Sequence, residues 1–354
     1  MAVDGGPTVD KSLPILPVEL LDHIIEIALG VHGSTKLLAA IALTSPRFRS
    51  MAFRHYFRHV ILSDSAKGMS WQRFFRVLRS LEERTGEECF VWVRSLRAAS
   101  QTLIPALKSH PIAPSHSESL AVLSTHLQEL SIDLDSEGFV TQHPFLQLLC
   151  RHLLPHNTFH KLTMLTLTSL PRIDIPLLRL IAGSFPLLVD LYLSSTERLD
   201  FHCWHCYEES LGLTIHSPVP DMFSDSRAMA VIFAKVLKPL THLTYLHLGF
   251  YLSDEMLTLI HAVHGQREGG IPFGPEECIL CDKASTTVQL RELAAGLELA
   301  QYLKALRTVG FSSFFDHTPC AQTGDRRNPD TTVHILRENG RIRVRRSPWH
   351  DGGI

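Results

Sequence analysis

From Leu16 to Tyr56 the apolar residues recur at helical spacing in three short runs separated by breaks. The first run is Leu16-Pro17-Val18-Glu19-Leu20-Leu21-Asp22-His23-Ile24-Ile25-Glu26-Ile27-Ala28. Pro17 suits a first helical turn, because that position has no N–H bond to lose, and Glu19 and Asp22 lie near the positive end of the helix dipole. Leu20, Leu21, Ile24, Ile25, Ile27 and Ala28 cover about two faces of this helix, more than a small helical unit can bury by itself. The surplus predicts a docking face. After a break at Gly30-Val31-His32-Gly33-Ser34, a second helix is expected over Lys36 to Thr44, capped by Ser34 or Thr35. A third starts at Ser45-Pro46, with Phe48, Met51, Ala52 and Tyr56 on its apolar side.

Further along, the periodicity changes. Segments of the form Leu-x-x-Leu-x-Leu start at Leu127, Leu162, Leu188 and Leu243, with weaker versions at Val93 and Leu306. Alternate residues of each short strand point to one side, and the leading leucine caps the same apolar layer, so successive units can stack into a solenoid with a curved sheet. The starts at Leu127, Leu162, Leu188, Leu243 and Leu306 are unevenly spaced. The array is therefore irregular, with insertions expected at about 200 to 235 and 262 to 290. Near the end of the chain, Asn339-Gly340 supplies the pair of positive-φ positions of a tight hairpin turn that should close the sheet. Ile342 and Val344 then share one face, while Arg341, Arg343 and Arg345 form a basic stripe on the other, read as a solvated strand face in preference to a binding site for acidic partners.

The first helical runs match a known order of residues. Leu16-Pro17-Val18-Glu19-Leu20-Leu21 with Ile24 one turn on, the run Leu37-Leu38-Ala39-Ala40-Ile41-Ala42-Leu43, and Ser45-Pro46-Arg47-Phe48 together resemble the F-box. In that family these helices attach a substrate receptor to a Skp-type adaptor of a cullin-RING ubiquitin ligase. The resemblance covers residues 13 to 60; Phe48 stands where the family most often has Trp, and the Gly30 to Thr35 linker is longer than usual. It implies adaptor contacts at Leu16, Pro17, Leu20, Leu21, Ile24, Leu38, Leu43 and Phe48, some of which must instead pack the three helices together. F-box proteins often carry a leucine-rich receptor domain, which the recurrent strands resemble.

Composition limits the alternatives. The 354 residues suffice for one small module and one larger domain, and the net charge of -2 gives no global attraction to nucleic acid or membrane. No window reaches the ~18 uninterrupted apolar residues of a membrane span, and the first dozen residues hold no signal-type apolar run. The expected location is the cytoplasm, the nucleus or both.

Two CxxC pairs, Cys203-Trp204-His205-Cys206 and Cys278-Ile279-Leu280-Cys281, can each offer two thiolates to one tetrahedral metal ion. Together they would complete a structural zinc site, with His202 and His205 as substitute ligands. The long stretch from Cys206 to Cys278 is far from zinc-ribbon spacing, but loops that follow consecutive strands can be neighbours. The polar Asp282-Lys283 after the second pair suits a knuckle turn. The rival reading is two unrelated pairs of reduced thiols. His152, His156 and His160 recur at intervals of four, but Pro155 breaks a common helix. No HExxH, GxSxG, phosphate loop or GxGxxG is present.

The expected architecture is α/β: an N-terminus over 1 to 12 expected to be disordered, a three-helix F-box over 13 to 60, linker helices over 61 to 89, an irregular leucine-rich-repeat-like solenoid over 90 to 346 ending in a β-hairpin, and a tail over 347 to 354. The expected function is non-enzymatic: docking on a Skp-type adaptor and cullin while presenting a protein substrate, with no cofactor required and a structural zinc left open between the two readings of the CxxC pairs. The alternatives are a ligase-independent scaffold and a zinc-dependent enzyme.

Overall fold

The computed structural model describes residues 16–32, 35–63, 69–103, 123–138, 140–153, 161–195, 222–250, 252, 279–312 and 331–346. They divide into two compact units, Met1–His59 and Val60–Ile354.

The first unit contains α1 (Val18–His32), α2 (Thr35–Thr44) and α3 (Pro46–Tyr56). Helix α1 passes through Gly30, where a break was expected. One glycine costs a helix only about 1 kcal/mol, too little to end a run already held by its neighbours. The start of α3 follows its sequence signals: Ser45 is extended, its Oγ accepts from the Phe48 N–H at 3.2 Å, and Pro46 occupies the first turn. Ile25, Leu38, Met51 and Ala52 form the core, flanked by Leu21, Leu29, Ile41, Phe48, Phe53 and Tyr56.

The described strands form a nine-stranded, mostly parallel sheet in sequence order: β1 (His59–Ile61), β2 (Ser95–Ala99), β3 (Glu129–Asp133), β4 (Met164–Leu170), β5 (Asp190–Ser195), β6 (Tyr245–Gly249), β7 (Thr308–Phe311), β8 (Thr331–Glu338) and β9 (Arg341–Arg345). Strands β2 to β7 pair in parallel, and β8 and β9 continue antiparallel. Parallel neighbours need a crossover. Helices α5 (Gln142–Leu153), α6 (Ile175–Ser184), α7 (Ser226–Leu237) and α8 (Ile279–Tyr302) lie in the successive connections from β3 to β7.

The register explains the leucine pattern. Leu96, Leu130, Leu165, Leu191, Leu246 and Val309 are in line across the sheet, and so are Ala98, Ile132, Leu167, Leu193, Leu248 and Phe311. All twelve are buried. Leu130, Ile132, Leu165 and Leu167 line a void of about 10 Å³ with Leu146, Leu149, Leu177 and Ile181, which identifies this as the helix-covered face. The leading leucines at 127, 162, 188, 243 and 306 are fully buried. Beside them the N–H groups of Gln128, Thr163, Val189, Thr244 and Arg307 each donate to the equivalent carbonyl of the preceding segment, at 2.8–2.9 Å.

Three expectations need correction. Residues 61 to 89 are not merely linker helices: α4 (Trp71–Thr85) belongs to the second unit, and its Trp71, Phe74, Phe75 and Leu78 are buried, the two phenylalanines against Phe90. The expected insertion at 200 to 235 includes α7, which buries Met229, Ala230, Phe233, Ala234 and Leu237. The one at 262 to 290 includes the first half of α8. Both are crossover helices, and 196–221 and 253–278 lie outside the described residues.

The hairpin closes the sheet as its turn chemistry requires. Asn339 (φ 51°) and Gly340 (φ 74°) are both left-handed, the type I′ pattern. The Arg337 guanidinium on β8 donates to the carbonyls of Ala300 and Leu303, each at 2.9 Å, and of Leu306, satisfying the C-terminal end of α8. Gly296 is required where α8 meets β8, since a Cβ there would come within 2.8 Å of Val333 Cγ1.

Candidate functional site

Adjacent residues of α1 have opposite fates. Ile25 is 3% exposed in the core, whereas Ile24 is 52% exposed. Leu16, Leu20, Ile24 and Ile27, spaced by four, four and three residues, form one exposed apolar stripe, and Val18, on a different side of the helix, is exposed as well. Leu43 on α2 is 80% exposed. The polar flank of α1 is fixed to α3: Asp22 Oδ1 is 3.0 Å from His55 Nε2, and Glu26 Oε1 accepts from Arg58 NH1 at 2.8 Å, just beyond the end of α3. Arg49 of α3 also donates to the Ala42 carbonyl of α2 at 2.9 Å. Such contacts are worth little energy each at a surface but fix helix rotation, and with it the direction in which the stripe points.

The residues singled out from sequence separate into two sets. Leu16, Pro17, Leu20, Ile24 and Leu43 are exposed. Leu38 is buried in the helical core, and Leu21 and Phe48 pack against it. Ile27 completes the stripe and was not among the expected contact residues, although its spacing from Ile24 marks it.

The second unit holds a different arrangement, buried at its Tyr192 and His247 pair. On the sheet face opposite the helices, Arg97, Ser131, Thr166, Tyr192, His247 and Gly310 lie in register. Tyr192 and His247 stack with ring centroids 4.2 Å apart and planes at 8°. Burial lowers the His247 pKa to about 3, so the imidazole is neutral at physiological pH. Gly249 allows this close approach of strands, because a Cβ would lie 2.6 Å from the Leu193 carbonyl oxygen.

Elsewhere polar groups act structurally. Asp174 caps α6 through Leu177 N–H at 2.9 Å and also holds Arg172 Nε at 2.6 Å and His143 Nε2 at 3.1 Å. Gln142 bonds both backbone groups of Arg172, at 2.8 and 3.0 Å. Together these tie the start of α5 to the start of α6.

For the metal expectation, Cys203, Cys206 and Cys278 lie outside the described residues, as do His202 and His205, and only the backbone of Cys281 is described. That backbone, with Asp282 and Lys283, is helical rather than a knuckle turn. Strands β5 and β6, after which the two pairs occur, are adjacent and parallel. Among the described residues no group of three or more His, Cys, Asp or Glu is placed to hold a metal ion. The described thiols of Cys89 and Cys150 are buried, and burial pushes Cys150 up to about 11, against a smaller opposing effect of a Ser184 hydrogen bond. A thiol so raised is a poor nucleophile. No helix of the described residues is long and apolar enough to cross a membrane.

Neither the comparison with protein-family models nor the search of curated proteins gave a match to this chain.

Proposed function

We propose that this chain is the substrate-recognition subunit of a cullin-RING ubiquitin ligase of the SCF type. Its three N-terminal helices act as an F-box that docks on a Skp-type adaptor, and its sheet domain acts as an irregular leucine-rich-repeat-like receptor for a protein substrate. The observation that carries this reading is the stripe of Leu16, Leu20, Ile24 and Ile27, exposed on a helix whose other face is already packed. About half of each such side chain remains exposed, so covering one gains about 1 kcal/mol, and a partner covering several of them has an appreciable apolar driving force. The order of residues from Leu16 to Phe48 supports an adaptor as that partner. The sequential, in-register array of strands with crossover helices supports a solenoid, and hence a receptor surface.

The chain itself performs no chemistry in this account. Holding a substrate near a charged ubiquitin-conjugating enzyme raises effective concentration, which accelerates transfer without a catalytic side chain in the receptor. The test is co-purification of the Skp-type adaptor and cullin with the full-length chain and with a Leu16→Ser, Leu20→Ser, Ile24→Ser variant. All three positions are exposed, so the fold should survive. Capture by the wild type and loss in the folded variant supports the proposal; equal capture, or none by either, contradicts it.

A further inference from the structure

The last strand of the sheet concentrates positive charge on a chain whose net charge is -2. Residues 331–346 contain Arg337, Arg341, Arg343, Arg345 and Arg346 against a single carboxylate, Glu338. Two of these arginines have internal tasks: Arg337 satisfies the end of α8, and Arg346 Nε lies 3.4 Å from Glu292 Oε2. Arg345 is also engaged within the chain. Arg341 and Arg343 are exposed, two residues apart on one face, with Arg345 continuing their line half-buried. Cross-strand, Glu338 stands opposite Arg341, but Arg343 faces Leu336 and Arg345 faces His334.

β9 is also the end of the sheet order, and its hydrogen-bonding pattern can be followed from β7. The Ile335 N–H donates to the Arg307 carbonyl at 2.8 Å, so along β8 the backbone groups of Val333, Ile335 and Arg337 face β7. Those of His334, Leu336 and Glu338 therefore face β9, where they meet Arg345, Arg343 and Arg341. By the same alternation Ile342 and Val344 turn their N–H and C=O groups to the outer edge, where no further strand lies among the described residues. Their side chains are half-buried, on the face opposite the arginines.

We infer that the outer edge of β9 is a strand-addition site for an extended acidic segment of a protein partner. The segment's backbone would pair with Ile342 and Val344, and carboxylates at alternate positions would sit beside Arg341 and Arg343 on the same face of the lengthened sheet. Residues in between would meet Ile342 and Val344 on the other. Side chains on one face of an added strand recur about every 6.4–6.8 Å, which is also the spacing of the arginines. Nucleic acid could satisfy the charges, but it has no N–H and C=O ladder to match the edge, so a peptide is the better complement. Arginines on an edge strand also discourage pairing between two copies of this chain, because like charges would be brought together. The inference rests on the receptor reading above, for which it supplies a substrate class.

The probe is a fluorescent peptide of about ten residues alternating glutamate with valine and threonine, titrated into full-length protein and followed by anisotropy. A version N-methylated at alternate amides cannot complete the ladder. Val344→Pro removes an outward N–H without touching the bonds to β8, and Arg341→Glu with Arg343→Glu reverses the charge at exposed positions. Saturable binding that falls by about tenfold or more with N-methylation and with each variant supports the site. Absence of binding, equal binding by the N-methylated peptide or by both variants, or displacement by single-stranded DNA at equal affinity overturns it. Adaptor capture by the same preparations separates the two ideas. Adaptor capture without peptide binding overturns the edge site alone. Strand-specific peptide binding without adaptor capture contradicts the ligase reading and leaves the edge site standing.

Discussion

The two units treat apolar side chains in opposite ways. In the helical unit, Ile24 and Ile25 are neighbours in sequence, yet one faces solvent and the other the core. In the sheet unit, Leu191 and Leu193, or Leu246 and Leu248, are likewise close in sequence, but all four are fully buried under helices. Tyr192 and His247, between them on the opposite face, are buried as well. The small helical unit, which ends at His59, has little interior, and its apolar surplus stays on the surface. The larger unit has two faces of sheet to cover and consumes its surplus internally. Exposed leucine and isoleucine therefore differ between the two: a contiguous apolar stripe in the first, which we propose as a docking face, and isolated, ordinary positions such as Leu187 in the second.

The largest effects are expected where the sheet unit is tightest. Phe233→Ala on α7 removes a fully buried ring that contacts Phe223 and Phe250, and should cost about 3–5 kcal/mol in denaturant unfolding. Loss of under about 1 kcal/mol would mean that α7 is an appended insertion after all.

Glu292 tests the junction of α8 with the hairpin. Burial raises its pKa to about 7, outweighing the opposing effects of Arg346 and of the Thr331 hydroxyl that donates to it at 3.0 Å. The folded state thus holds this proton more tightly than the unfolded chain, whose carboxyl titrates near the ordinary 4.5. Its stabilising contribution is complete below about pH 4.5 and is lost as pH rises through about 7, a change on the order of 3 kcal/mol. Glu292→Gln should abolish that slope in a melting-against-pH series. An unchanged slope would assign the pH dependence to other groups.

Asp174→Ala should cost about 2 kcal/mol, because one substitution removes the cap of α6 and the buried acceptor of Arg172 and His143. Restoring the cap alone with Asp174→Ser should recover part of this stability. Full recovery would show that the two side-chain partners contribute nothing.

These contrasts also mark what could be read from the sequence. The six strands anticipated from their leucines are present, because each leading leucine and its two followers fill fixed places in one apolar layer. Asn339-Gly340 located the final hairpin, since few residue pairs accept two left-handed positions. The crossover helices α7 and α8 were hidden within expected insertions. α8 meets β8 through Gly296, and its buried line of Ser285, Val288, Glu292, Ala295 and Leu299 is interrupted by a serine and a glutamate, which weakens the apolar signal in the sequence. In the helical unit, the apolar surplus was legible, but which residues face outward depends on helix rotation. Contacts such as Asp22 with His55, 33 positions apart, contribute to that rotation and leave no local signal.

The smallest stability effect, and the sharpest contrast, belongs to α1. Ile25→Ala should destabilise the helical unit by about 2–4 kcal/mol, whereas Ile24→Ala should change it by under about 0.5 kcal/mol, read by hydrogen exchange of the α1 and α3 amides. Equal effects would remove the distinction between the packed and exposed faces.

The central claim is that the exposed face is a docking face. Its most direct test is calorimetric titration of a purified Skp-type adaptor into the full-length chain and into a Leu20→Asp, Ile24→Asp variant of unchanged melting temperature. A docking face should give a one-to-one complex with Kd of about 1 µM or tighter for the wild type, weakened by about 100-fold or more in the variant. A folded wild type that does not bind, or a variant that binds equally well, would contradict it.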